Sequence, residues 1–471
     1  MALTMVGKLT GPEKEILGEV YTSSDAYDNL VTLCDRYGGR LAGSPENRQA
    51  AEFILGKFEE YGFDDPHLES FTFPGGEVLG GSLDVLSPIK RAVRCIVLPM
   101  TVTGDVEGEV VWLGHGEDLD KKLGELDGKV ILTTDRGPIK RSVMAGAVGV
   151  IWMRPFPFLG PTTGVTPSIL PSVGVAYEDG CLMKRLIDHG ESVNVRIRTS
   201  CRHYERESWN VCGEVTGNGD SDEFVMFGGH YDGHEIAQAA FDCGAPAMAA
   251  MEIGRILNRH RESLNGDVRF VLFSAEEFGC WGSRSYAKSH AAEMDKMRFT
   301  YQFDSCAGSS TQVLTTDFWP QLESFFNRIG SDIGIDLPVR QLKGPGDSEA
   351  FYELGIPTGC IREARRFDHP GTLGGLSTVW HTYHDTVDKI DLRHLRDVVA
   401  IGALSGVRIL SSKDWPRHRS HLEIEATPIA KAEKKDEELN KELQAYLALH
   451  RDTLWPEARS YLDRLASGRV H

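Results

Sequence analysis

Two short stretches, "EFVMFGGH" (223–230) and "VRFVLFSAEE" (268–277), are almost unbroken apolar runs that end in ionisable residues. A strand with one wet face alternates apolar and polar side chains. One that is apolar throughout is covered on both faces, as in a mostly parallel sheet flanked by helices. A shorter, more mixed run, "RFTYQFD" (298–304), has the same ending. Between such runs the spacing turns helical: Ala249, Ile253, Ile256 and Leu257 recur at i, i+4, i+7 and i+8. The pattern predicts an α/β class with a mostly parallel central sheet flanked by helices.

Other segments differ in texture. In "GSPENRQAAEFILGKFEEYGF", Ser44 suits a helix cap and Pro45 the first helical position. Ala51, Ile54, Leu55 and Phe58 share a face, and Gly62 marks the end. From 84 to 200, β-rich runs such as "EVVWLG" and "KVILTTD" alternate with turn residues, and "KRSVMAGAVGVIWMRP" reads as a short helix feeding a strand. This segment carries no cluster of His, Cys or acidic residues at ligand spacing. It is expected to be a non-catalytic insertion into a discontinuous catalytic domain formed by 1–83 and 201–413. The remainder, 414–471, contains "EKKDEELNKELQAYLALHRD", a helix with a stripe of Leu439, Leu443, Tyr446 and Leu447, before Pro456. That stripe suits docking on its own domain or a homo-oligomer contact.

Composition narrows the partners. A formal charge of −18 argues against a nucleic-acid surface and weakly against anionic membranes, and no segment reaches the apolar length of a membrane span. Nine irregularly spaced cysteines do not resemble a disulfide framework, and the first residues lack a signal-peptide pattern, so a cytoplasmic location is expected.

The chemistry is concentrated where strands end. The three runs deliver His230, then Glu276 and Glu277, then Asp304. In open α/β sheets the ligand crevice lies beyond the carboxyl ends of strands, so these side chains can converge. Asp242 sits where it would cap a helix beginning near Cys243, and His381 lies in "WHTYHDTVDKID". His, Asp, Glu, Asp and His form a mixed N/O donor set suited to zinc, with cobalt or manganese as substitutes. Two ions ~3.5–4 Å apart need one bridging carboxylate. The inventory allows Asp242 to bridge, with His230 and Asp304 on one ion and Glu277 and His381 on the other. Glu276 is then free to take a proton from an attacking water and return it to a leaving amine. Asp232, two residues after His230, is placed to orient the imidazole; its neighbour His234 is a weaker candidate.

The motifs "GGHYDG", "FDCGAPAMAAMEIGRIL", "FVLFSAEEFGCWGS", "YQFDS", "GDSEAFYELGIP" and "HTYHDTVDKID" resemble, in order and spacing, the M28 family of zinc peptidases. The early "RLAGSPENRQAAEFILGKFEEYGF" is similar to that family's N-terminal helix. "LDGKVILTTDRGPIKRSVMAGAVGVIWM" and "PSVGVAYEDG" resemble the protease-associated (PA) domain that many members carry. The resemblance spans roughly residues 25 to 412. It implies a phosphorylase/hydrolase-like domain with two zincs, His230, Asp242, Glu277, Asp304 and His381 as ligands, and Glu276 as general base. The sequence departs from the family at Cys243 to Pro246, at Ser348, where a histidine is usual, and at Ser305 and Cys306.

The expected activity is that of an exopeptidase on peptides or small amides, an aminopeptidase first, using a water activated by two zincs. Arg362, Arg365 and Arg366 keep a carboxypeptidase or dipeptidase open, because an arginine cluster would hold a terminal carboxylate. Hydrolysis of a non-peptide amide is a further alternative. Single-zinc glutaminyl cyclisation and a retired, non-catalytic binding protein are both disfavoured by the intact ligand set.

Overall fold

The computed structural model describes residues 9–165, 169–219, 221–309, 312–341, 346–363, 379–451, 454–456 and 459. Its strands are β1 (Asp64–Ser87), β2 (Arg91–Val93), β3 (Cys95–Val97), β4 (Gly104–Gly114), β5 (Val130–Thr133), β6 (Gly149–Met153), β7 (Ser172–Val175), β8 (Asn194–Val215), β9 (Phe224–His230), β10 (Asp267–Phe273), β11 (Met297–Phe303), β12 (Gln312–Thr316), β13 (Val339–Arg340) and β14 (Thr358–Glu363). They join in the order β13-β12-β14-β11-β9-β10-β8-β4-β5-β6-β7-β3, with β1 paired to β8 and β2. At the centre, β9 lies parallel to both β10 and β11, and β14 parallel to β11.

The apolar runs have the cause inferred for them. All of β9 is buried. Val225 and Phe227 join the main core with Phe270, Leu272 and Tyr301, whereas Phe224 and Met226 join a second core with Val271, Phe273, Tyr286 and Phe351. The main core is covered by the helices Ala245–Arg259 and Leu392–Ser411, both of which contribute to it. Phe227 stacks between Phe270 and Tyr301 at centroid distances of 5.7 and 5.2 Å. Truncating such a buried aromatic to alanine costs about 3–5 kcal/mol.

The helix Pro45–Glu60 starts as expected, with the Ser44 hydroxyl accepting the Asn47 N–H. Its buried Asn47 is tied to Ser208 and Ser274, which fastens the helix to the sheet.

β1 and β8 pair antiparallel from Asp64↔Glu214 to Ser87↔Asn194, so the sheet continues past residues 84 and 200, where the sequence texture changes. Beyond them β4 to β7 enclose a core of their own, including Val110, Leu132, Ile151 and Val173. The helix Pro428–Leu449 docks on this lobe: Leu443 and Leu447 are buried against Leu119, Ile139 and Val143, and Lys140 meets Asp436 at 2.8 Å. Part of the stripe read as a self-docking or oligomer surface is therefore covered within the chain. No helix among the described residues is long and apolar enough to cross a membrane.

Candidate metal centre

Parallel strands end on one side of a sheet, and β9, β10 and β11 bring their last residues together there. His230 closes β9, Asp304 follows β11 directly, and Glu276 and Glu277 follow β10. Ala275 and Ser305 adopt left-handed backbone (φ 60° and 50°), turning the chain sharply beside the ligand positions.

Asp242 does not cap the helix Ala245–Arg259, as its sequence position suggests. It lies in the turn Ala240–Gly244 with its carboxylate spread between two imidazoles. Oδ1 is 3.3 Å from His230 Nε2, and Oδ2 is 3.3 Å from His381 Nε2. The reason is Asp385, whose carboxylate accepts the N–H groups of Phe241 at 2.6 Å and Asp242 at 3.1 Å and fixes the turn. Asp385 was not singled out in the sequence, although it lies in the His381 motif.

Two donor groups gather here, Asp242 belonging to the first and reaching His381 of the second. His230, Asp242 and Asp304, with Cys243, bring ligand atoms within 4.8 Å of one another; so do His234, Glu277 and His381. His384 joins neither group. On one side His381 Nε2 is 2.9 Å from Glu277 Oε2. On the other, Arg362 reaches Asp304 Oδ2 at 3.2 Å and Ser305 donates to Asp304 Oδ1 at 2.9 Å. Arg365 and Arg366 lie outside the described residues. The Cys243 thiol sits 3.5 Å from the Phe303 carbonyl, and burial pushes it well above its usual range.

The expected link from His230 to Asp232 exists in altered form. His230 Nδ1 is closer to the Asp232 carbonyl (3.1 Å) than to its carboxylate (3.5 Å). An Nδ1–H donated to that carbonyl fixes the ring with Nε2 facing Asp242. The Asp232 carboxylate instead accepts the Glu276 backbone N–H at 3.3 Å.

Electrostatics separates the adjacent glutamates. Burial, aided by the charges of Glu277, Asp347 and Asp304 and opposed by His230, pushes the Glu276 carboxyl well above the usual carboxylate range. Burial would raise Glu277 too, but His234 and His381 outweigh it and hold that carboxyl well below. Asp242 is likewise held down at about 2, its hydrogen bonds from His230 and His381 outweighing burial and Glu277. Burial lowers His381, yet Glu277 and Asp242 raise it to about 9. Histidines drawn toward the cationic form beside clustered carboxylates mark a pocket built for positive charge, and its N/O donors fit zinc. Glu276 belongs to neither donor group and lines a small cavity with Asp304, Gly346, Asp347, Ser348 and Arg362.

The 84–200 segment reaches this centre. The Thr163 N–H donates to the His381 carbonyl at 3.0 Å, the Thr162 hydroxyl to the same oxygen at 3.3 Å, and Thr162 pairs with Thr382. Arg154 donates to the Trp380 carbonyl. These bonds brace His381, whose backbone is itself left-handed (φ 58°). The sequence carried no signal for them, since threonine and backbone contacts leave no spacing pattern.

A histidine–carboxylate centre at strand ends, with one carboxylate held apart and protonatable, defines a metal-dependent hydrolase. Residues 210–404 match the model of peptidase family M28. Carboxypeptidase Q of Mus musculus is 25% identical over 408 residues, covering 80% of this chain and 84% of that protein. Among solved structures, a peptidase M28 precursor from Shewanella amazonensis SB2B has a TM-score of 0.74 at 22% identity, over 87% of this chain and 97% of its own. A zinc aminopeptidase from Bacillus subtilis has a TM-score of 0.64 at 20% identity, over 83% and 95%. The match over residues 210–404, together with these relatives, supports a metallopeptidase of the M28 type.

Proposed function

We propose that the chain is a zinc-dependent exopeptidase, an aminopeptidase acting on peptides, with two ions sharing Asp242. The observation that carries this reading is the Asp242 carboxylate, whose two oxygens each stand 3.3 Å from a different histidine. His230 and Asp304 would hold one ion, and Glu277 and His381 the other. When bound, two zincs supply Lewis acidity toward water and the scissile carbonyl. Glu276 takes the proton of the attacking water and delivers it to the departing amine nitrogen. Asp232 orients this pair, its carbonyl facing His230 Nδ1 and its carboxylate holding the Glu276 amide.

A second reading, a carboxypeptidase, rests on Arg362. Its guanidinium lines the cavity beside Glu276 and Asp304, where it could hold a terminal carboxylate. The similarity to carboxypeptidase Q agrees with it. We also infer a reducing, cytoplasmic location, because the nine cysteines are irregularly spaced and do not follow a disulfide framework.

The test is hydrolysis of one peptide series with free, acetylated and amidated ends, alongside zinc content. Cleavage that requires a free amino terminus and about two zincs per chain supports the aminopeptidase. Cleavage of acetylated peptides that fails on amidated ones replaces it with the carboxypeptidase. Metal-free protein without peptidase activity after zinc reconstitution overturns both.

A further inference from the structure

His234 has no part in the reading above, yet it is 3% exposed and neither ring nitrogen has a hydrogen-bond partner among the described residues. Buried polar groups are almost always partnered, so an imidazole with both nitrogens unmet calls for an explanation. Its Nε2 stands 3.0 Å from Glu277 Oε2 without the alignment of a hydrogen bond. His381 Nε2 approaches that same oxygen at 2.9 Å, and the two rings meet edge-on at 4.4 Å and 80°. Two imidazole nitrogens thus converge on one carboxylate.

The spacing matches a coordination shell. Donors at ~2.0–2.1 Å from a tetrahedral zinc lie ~3.3 Å from one another. The observed separations are 3.0 Å for His234–Glu277, 2.9 Å for His381–Glu277 and 3.3 Å for His381–Asp242. The turn carrying His234 is also tightly seated. A Cβ on Gly39 would fall 2.2 Å from the His234 carbonyl oxygen, and one on Gly233 would fall 2.3 Å from Ala239 Cβ.

We propose that His234 is a fourth protein ligand of the ion shared by Asp242, Glu277 and His381, so that the two metal positions are unequal. Four protein ligands close a zinc site and suit a retained, structural ion, whereas a site with fewer keeps a position open for chemistry. The open position falls to the group of His230, Asp242 and Asp304, because the Cys243 thiol beside them is turned to the Phe303 carbonyl at 3.5 Å. Glu276 stands on that side, with Oε2 3.9 Å from His230 Nε2. The inference rests on the two-ion reading and assigns the ions different tasks.

Zinc X-ray absorption on the full chain loaded with one equivalent tests it without mutation. Two imidazoles on the first-bound zinc are expected; a single imidazole overturns the proposal. Chelator competition on His234→Ala supplies the second measurement, with the circular dichroism of metal-free protein as the folding control. Affinity for the tightest zinc should fall by more than the ~10–100-fold that loss of an outer-shell partner costs. Unchanged affinity in His234→Ala, with loss in His381→Ala, overturns this proposal and leaves the two-ion reading standing. Wild-type protein that binds no zinc overturns both.

Discussion

Glu276 and Glu277 are neighbours in the chain whose carboxylates point at different partners. Glu277 meets His381 at 2.9 Å and His234 at 3.0 Å, whereas Glu276 turns toward the cavity of Asp347 and Arg362. One is held ionised by histidines and the other pushed toward its neutral form by burial. Sites that set two carboxyls apart in this way assign them different work. Glu276→Gln is expected to cut kcat by ~10²–10⁴ while zinc content stays at the wild-type level. Full activity in this variant would remove Glu276 from the mechanism.

Asp385 gives one oxygen to each of two backbone donors, Phe241 N and Asp242 N. An asparagine offers one acceptor and one donor, so Asp385→Asn turns an N–H against one of them. An unmet buried donor costs about 1–3 kcal/mol. Because that turn aims Asp242, zinc affinity should also drop by ~10–100-fold, measurable by chelator competition. A variant of lower stability with unchanged zinc affinity would show that Asp385 supports the fold alone.

Gly346 has φ 128°, and a Cβ there would press on Glu276 Oε1 at 3.3 Å. Gly346→Ala therefore combines backbone strain with displacement of the carboxylate read as the base. We expect kcat to fall by ~10–10²-fold with little change in KM. A KM effect alone would place the residue in substrate binding.

Far from the centre, the buried carboxylate of Glu13 accepts hydrogen bonds from Arg408 at 2.7 Å and from the Thr10 amide at 2.7 Å. Burial raises its pKa, but the hydrogen bonds from Arg408 and Thr10 outweigh that and hold the carboxyl below its usual value. A depressed folded-state value means the stabilisation is present above the unfolded value and lost as pH falls through the folded one. Glu13→Gln should lower stability by about 1–3 kcal/mol at neutral pH. The gap in thermal midpoint between variant and wild type should narrow as pH falls below the usual glutamate range. A gap independent of pH would point to lost packing instead.

The centre of the sheet was readable because β9 and β10 must be apolar on both faces, and strand ends place His230, Glu276, Glu277 and Asp304 by chain direction alone. Asp242 and His381 stood out only as residue types beside plausible turns, and the capping role expected of Asp242 was displaced by Asp385 and the histidines. His234 stood as a weaker candidate because nothing in "GGHYDGHE" tells whether its turn folds inward. That is decided by close approaches at Gly39 and Gly233, which belong to tertiary packing. The long pairing of β1 with β8 was equally hidden, since residue texture changes midway along strands that do not end there.

The two threonines that grip the His381 carbonyl tie the 84–200 segment to the loop of a candidate ligand. An insertion attached only at its two ends can be exchanged between relatives as a cassette. One that also holds the loop of a candidate ligand cannot be traded freely. A chimera carrying a foreign lobe would lose its brace on His381 unless residues 160–164 and 379–384 were inherited together. A change in either stretch is then felt by the other, because they share one set of hydrogen bonds.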